Sequence, residues 1–285
     1  LLSYPFLFER IWSSQEQTWL WSGMFVVYAA LFALCAWVAW RSSSAPQVAL
    51  ATDNSPEQRR GGSASLWIAY SAAGSVMLLA TTNQITQWSA VIPFLWIAPL
   101  SLYLLTFVVA FGQQTHYRRT PYAIAFLLFA GLSFVLPVPD SASSLATAVL
   151  VQCLVMFTGC MICHAEMVRL QPEPARLPSF YLATAIGGVI GGLLVALIAP
   201  MLLADYWEQA LAIAVIAAFA LHLEVRETST WRRGWSIGLG AAAVFFLAAL
   251  SVQLISEIVL SRDLVARIRN FYGVVSVLRD AGEGT

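Results

Sequence analysis

Cys160-Met161-Ile162-Cys163-His164-Ala165-Glu166 closes an apolar run that begins at Cys153, and Gly187-Gly188-Val189-Ile190-Gly191-Gly192 sits inside the next apolar run. Between them lies a basic turn, Arg169 to Arg176, broken by Pro172 and Pro174, with Pro178 just beyond. Two long apolar helices joined by a short charged turn make a helical hairpin. A bilayer core of about 30 Å takes roughly 20 helical residues to cross, which suits both arms. In the second arm, Gly187/Gly191 and Gly188/Gly192 are overlapping pairs at a spacing of four. Such pairs strip one helix face so that another backbone can approach closely. The stretch predicts a chain that is α-helical, membrane-crossing and tightly packed.

Composition points the same way. Hydrophobic residues make up 59% of the 285 and charged residues 11%, against about 25% charged in a soluble domain. Mean hydropathy is +0.74. The 15 basic residues are all arginine and are balanced by 15 acidic ones, which argues against a nucleic-acid surface. The 11 Trp and 9 Tyr suit the headgroup belts of a bilayer. Cys35, Cys153, Cys160 and Cys163 all lie in apolar runs and read as buried thiols rather than a disulfide framework. Leu1-Leu2-Ser3-Tyr4-Pro5-Phe6 reads as the end of an apolar helix, and Gly282-Glu283-Gly284-Thr285 as a turn, so both ends read as cuts in a longer polypeptide.

Hydropathy and length predict about eight spans, at 18–40, 64–82, 88–111, 120–138, 144–165, 179–203, 207–223 and 235–259. The predicted class is therefore all-α, a polytopic transmembrane helix bundle. The one long connection, Arg41 to Ser63, is rich in Ser, Pro, Asp, Asn and Gln and reads as a solvated loop. Pro93 and Pro99 both fall within the third span, where each would kink the helix. Loops one, three, five and seven hold Arg41, Arg59, Arg60, Arg118, Arg119, Arg169, Arg176, Arg226, Arg232 and Arg233, while loops two, four and six hold none. The positive-inside rule then puts the odd-numbered loops in the cytoplasm and the tail outside.

Residues 1–260 form the expected membrane domain and 261–285 a separate tail. In that tail, Ser261 to Ile268 interleaves Leu264, Val265 and Ile268 with Arg262, Asp263 and Arg267, which predicts a short amphipathic helix on the membrane surface. Phe271 to Leu278 reads as a strand without a partner, the first strand of a missing domain.

The polar candidates are few. His164, Glu166 and Arg169 end one helix, where ionisable groups at membrane depth suggest function and groups at a helix end suggest anchoring. Glu166 and Arg169 are three apart and can pair. Asn83 and Gln84 belong to an uncharged patch, Thr81 to Gln87, expected as the connection between spans two and three. Tyr181 follows the basic turn. Asp205 is placed to cap the seventh helix, with Glu208 closing the box. Cys160-x-x-Cys163-His164 has the spacing of a haem attachment site. It lies in an apolar helix whose end the arginines put inside, so no cofactor and no metal are expected. His116 and His222 stand alone.

Several of these segments, taken in order, carry a family likeness. They are Thr81-Thr82-Asn83-Gln84-Ile85-Thr86, Pro93 to Phe107, Cys163-His164-Ala165-Glu166, Phe180-Tyr181-Leu182, the paired glycines, Leu197-Ile198-Ala199-Pro200 and Arg269-Asn270-Phe271-Tyr272-Gly273-Val274. Together they resemble the membrane part of bacterial spermidine synthase-like integral membrane proteins, from about Ser65 to Val277. The resemblance implies an inner-membrane helix bundle joined to a C-terminal aminopropyltransferase-like domain, with Phe271-Tyr272-Gly273-Val274 as its entry strand. The glycine-rich loop for decarboxylated S-adenosylmethionine and the acidic residues for the amine are absent from this sequence. No catalytic or cofactor-binding residue is therefore expected, and the chain reads as a non-catalytic membrane anchor or scaffold in contact with the lipid bilayer. Two alternatives stand beside it. One is an accessory subunit packed against other membrane subunits through the glycine face; the other is a transporter or binder using Asn83, His164 and Glu166.

Overall fold

Serine and proline mark where the helices begin and bend. Our computed structural model of the protein describes residues 11–42, 63–88, 94–112, 117–226, 230–260, 264–270 and 273–278. Pro93, His116, Arg262, Asp263, Phe271, Tyr272, the two chain ends and nearly all of the 41–63 loop lie outside the described residues. The chain divides into two units, Leu1–Arg59 and Arg60–Thr285.

The first unit contains α1, Ser14–Ser42. Its entry is a capping box: the Glu16 carboxylate accepts from the Ser13 amide and hydroxyl at 2.9 and 2.8 Å, and the Glu16 amide donates to Ser13 Oγ at 3.4 Å. Trp19, Leu20, Trp21, Phe25 and Val26 fall on successive sides of the helix, so it is apolar all round, as a membrane span can be.

The second unit contains seven helices and a β-hairpin: α2 (Ala64–Gln87), α3 (Phe94–Gly112), α4 (Arg119–Val135), α5 (Ala142–Arg169), α6, α7 (Trp207–Arg226), α8 (Thr230–Leu260), β1 (Leu264–Asn270) and β2 (Gly273–Leu278). Ser141 and Ser144 cap α5 reciprocally. After a 3-10 turn at Pro174–Arg176, α6 runs as Leu177–Leu193, widens into a π turn over Leu194–Ile198, and finishes at Ala199–Leu202. Pro200 accounts for the π turn, because its ring has no N–H to donate and would strike the carbonyl of residue 196.

Among the described residues a helix stands at each of the eight expected spans, and the one at 120–138 ends at Val135. Six are long and apolar enough to cross a membrane, and Ile97–Gly112 and Arg119–Val135 are shorter apolar helices. The patch from Thr81 to Gln87 belongs to α2 rather than to a connection. The Thr82 and Thr86 hydroxyls donate to the carbonyls of Leu78 and Thr82, at 2.8 and 3.0 Å, which satisfies them inside the helix.

α2 and α5 are the centre of this unit. α2 packs against α6, α5, α7 and α3, α5 also touches α4, and α8 lies along α4. The core gathers Trp67, Met77, Phe126, Met156, Phe180 and Ile216, each almost fully buried. The α2–α6 pairing is the most extensive, and its cause is the glycine spacing. A Cβ on Gly187 would stand 2.5 Å from the Ile68 carbonyl, and one on Gly191 would stand 2.5 Å from the Ala72 carbonyl. Only glycine admits backbones this close. Gly188 faces Ser75 Oγ at 3.6 Å, and Gly192 faces open space. The contact is tied by the Ser71 hydroxyl, which donates to the Thr184 carbonyl at 2.7 Å.

The tail departs from expectation. Residues 264–270 form a strand, not a surface helix, and β2 has a partner, since the two pair antiparallel with Arg269 opposite Val274 and Ile268 opposite Val275. Alternation explains it: Arg267 and Arg269 fall on one face and Ala266 and Ile268 on the other, a period of two. Val265 and Ile268 add β-branched side chains that suit a strand.

Candidate functional site

Among the described residues, the ion pairs of the second unit collect at its two ends. At one end, Glu166 is 2% exposed and lies between two guanidiniums. Arg119 Nε and Nη2 each donate to it at 2.6 Å, and Arg169 Nη1 reaches it at 3.4 Å. Arg169 also donates to the Tyr117 carbonyl at 3.2 Å and covers the Tyr117 ring at 4.9 Å. Burial pushes the Tyr117 phenol well above its usual pKa, and the Glu166 charge adds to the effect, so this ring stays neutral beside the ions. Nearby, Thr120 Oγ1 donates to the buried Glu224 at 3.2 Å, and the Trp67 indole donates to the Leu170 carbonyl at 2.9 Å. A carboxylate held by a bidentate guanidinium is desolvated but compensated. It acts as a lock between α4 and α5.

His164 sits two residues before this lock and does not join it. Thr106 Oγ1 lies 2.6 Å from the Tyr103 carbonyl and 2.9 Å from His164 Nδ1. With the hydroxyl proton spent on the carbonyl, its oxygen accepts from Nδ1–H, which leaves Nε2 as a bare lone pair. Nε2 has no hydrogen-bond partner and points at α2, where a Cβ on Gly74 would lie 3.1 Å away. Phe107 stacks on the ring at a centroid distance of 3.8 Å, with Tyr103 edge-on at 5.0 Å. Cys160 and Cys163 are fully buried, with Cys160 Sγ 3.8 Å from the Gly74 carbonyl. The Cys-x-x-Cys-His stretch thus packs α5 against α2 and α3.

At the opposite end, the hairpin is fastened to the connection between α6 and α7. Arg269 donates to both Glu208 oxygens at 2.8 and 2.9 Å and to the Asp205 carbonyl at 2.7 Å, and it covers the Tyr206 ring at 4.3 Å. Both partners of the Arg269–Glu208 pair are only 4% exposed. The Glu208 hydrogen bonds raise the Arg269 pKa above its ordinary value. Stability from such a shift is complete below the pKa of a free guanidinium, so ordinary alkaline buffers leave the contact intact. Arg267 meets Asp205 Oδ2 at 2.6 Å and approaches Glu257 at 3.8 Å. Asp205 and Glu208 thus hold the hairpin instead of forming a capping box. Among the described residues, Asp205 Oδ1 accepts from the adjacent Tyr206 amide, at 2.8 Å. Asn83 Nδ2 reaches Glu208 at 3.5 Å.

Beside this fastening, a cavity of about 230 Å³ reaches between α2, α4, α5, α7 and α8. Gln84, Gln152, Gln209, Gln253, Asp205 and Glu257 give it polar walls, and no basic residue lines it among the described residues. The side-chain amides of Gln209 and Gln152 hydrogen-bond to each other within the bundle.

The residues singled out in the sequence therefore do not form one cluster. Glu166 and Arg169 meet, together with Arg119, which was not among the candidates. His164 is packed separately, opposite Gly74. Asn83 lies nine residues along α2 from Gly74, about 13 Å at helical rise. Gln84 lines the cavity, and Tyr181 is 52% exposed, edge-on to Phe180 at 5.4 Å. Arg267 and Arg269 went unrecognised as site residues, although their alternation in the tail was the available signal. Among the described residues, no group of three or more His, Cys, Asp or Glu side chains is placed to hold a metal.

The chain is an integral membrane helix-bundle protein. No protein-family model, no curated protein and no solved structure matches it.

Proposed function

We propose that this protein is a membrane scaffold that holds its C-terminal β-hairpin in a fixed orientation at one end of the bundle. The observation that supports this is the pair Arg269–Glu208, buried on both sides at a place where a loose tail would leave its arginines in water. Desolvating an ion pair is costly unless its geometry is good, and here two hydrogen bonds join the same two groups. A rigid attachment is what a membrane anchor for a further domain requires. The resemblance to spermidine synthase-like membrane proteins makes an aminopropyltransferase-like domain our candidate for that cargo, and the bacterial inner membrane our candidate location. On this reading the arginine-bearing connections are cytoplasmic and the hairpin is on the other side.

The two alternatives have less support. Gly187 and Gly191 are filled by α2 of the same chain, which leaves Gly192 as the open remainder of the glycine face for another subunit. The residues assigned to transport are spread along the bundle.

The test is proteolysis of the hairpin in nanodisc-embedded protein. Arg269→Glu should speed cleavage between residues 264 and 278 about tenfold or more, as loss of a buried pair predicts. Adding Glu208→Arg to the same chain should restore most of the protection. Equal cleavage of all three proteins would contradict the scaffold reading.

A further inference from the structure

The cavity beside the hairpin has a chemistry that the scaffold does not use. Its walls combine the indole-bearing Trp88 and Trp207 with amides and two carboxylates. Gln152 and Gln209 are 95% and 93% buried (5% and 7% exposed), and each spends one amide atom on the other. This leaves the second amide atom of each without a partner among the described residues, one donor and one acceptor. Buried amides in a membrane bundle ordinarily find partners, and these two face a space that a ligand can enter.

The charge balance is uneven. Asp205 is satisfied by Arg267 at 2.6 Å and by the Tyr206 amide at 2.8 Å. Glu257 has the same guanidinium at 3.8 Å, beyond hydrogen-bond range, and no closer cation among the described residues. Arg269, the other cation at this end, is committed to Glu208. One carboxylate is therefore left to compensate one positive charge at the mouth. Phe134 and Val151 add aromatic and apolar wall.

We propose that this cavity binds a small organic monocation, an ammonium group on an aromatic or branched apolar body. The ammonium meets Glu257 at the mouth, the body lies among the indoles, and the buried amide pair supplies a donor and an acceptor at the floor. Faces of Trp rings favour cations over neutral groups of the same shape, and a wall without basic residues rejects anions.

The experiment measures saturable binding of benzylammonium, benzyl alcohol and benzoate to the full chain in nanodiscs by equilibrium dialysis, with empty nanodiscs subtracted. Benzylammonium should bind saturably, with the other two weaker by about tenfold or more, the worth of one charge-assisted contact. Glu257→Gln, which keeps the shape, should weaken benzylammonium about tenfold and remove the preference over benzyl alcohol. Gln84→Trp, which fills the cavity from α2 and leaves every carboxylate in place, should abolish the signal. No saturable binding, equal binding of the three probes, or benzylammonium binding unchanged in either variant would overturn the proposal. The proposal rests on the attached hairpin only in that Arg267 neutralises Asp205, and intact hairpin protection with no probe binding would separate its failure from that of the scaffold.

Discussion

Glu166 shows how a single side chain fixes the neighbours of a helix end. Its carboxylate is buried, and Arg119 and Arg169 supply the positive charge that makes burial tolerable. Removing Arg119 leaves Glu166 with one longer and more exposed partner. Arg119→Ala is expected to lower stability by roughly 3 kcal/mol, read as a fall in unfolding temperature in detergent. Arg119→Met combined with Glu166→Met should recover most of that loss, because an apolar pair of similar volume needs no compensation. A double variant as unstable as the single one would show that the cost is packing rather than an orphaned charge. The position of Glu166 at a helix end was legible in the sequence, and so was Arg169 three residues on. Arg119 was not, because a contact across 47 residues depends on α4 lying beside α5, and local spacing carries no trace of that.

Among the elements, α6 and β1 make opposite points about pattern. The glycine spacing of α6 signalled a close backbone contact but not its partner, which α2 supplies with Ser71, Ala72 and Ser75. Gly191→Val should destabilise the bundle by about 1–3 kcal/mol, since a side chain there meets the Ala72 carbonyl and cannot move it cheaply. Gly192→Ala, with nothing within 4 Å of the added carbon, should leave the unfolding temperature unchanged. Equal sensitivity at the two positions would mean that α6 packs by another face. In β1, the apolar positions Leu264, Val265 and Ile268 suit a helix, while Arg267 and Arg269 alternate as in a strand. A run of seven residues is too short for either period to prevail locally. The ladder with β2 and the carboxylates of the bundle end decide it.

For the whole molecule, hydropathy made the helical membrane bundle legible before any contact was known, with six helices long and apolar enough to cross and two shorter ones. What hydropathy could not reveal was how each end is closed. Gln152 and Glu166 lie 14 positions apart on α5, about 21 Å at helical rise, and each marks a different end of the bundle. Around Glu166 gather Arg119, Arg169 and Tyr117; around Glu208 and Glu257 gather the hairpin and the cavity. On the scaffold proposal, the basic turn after α5 and the hairpin after α8 lie on opposite faces of one membrane. The direct measurement is labelling by a membrane-impermeant maleimide in intact cells, with Cys35, Cys153, Cys160 and Cys163 replaced by Ala and one new cysteine at a time. Val275→Cys in β2 should label in intact cells, and Glu173→Cys in the basic turn should label only after the membrane is permeabilised. Labelling of both positions from the same face would contradict the account.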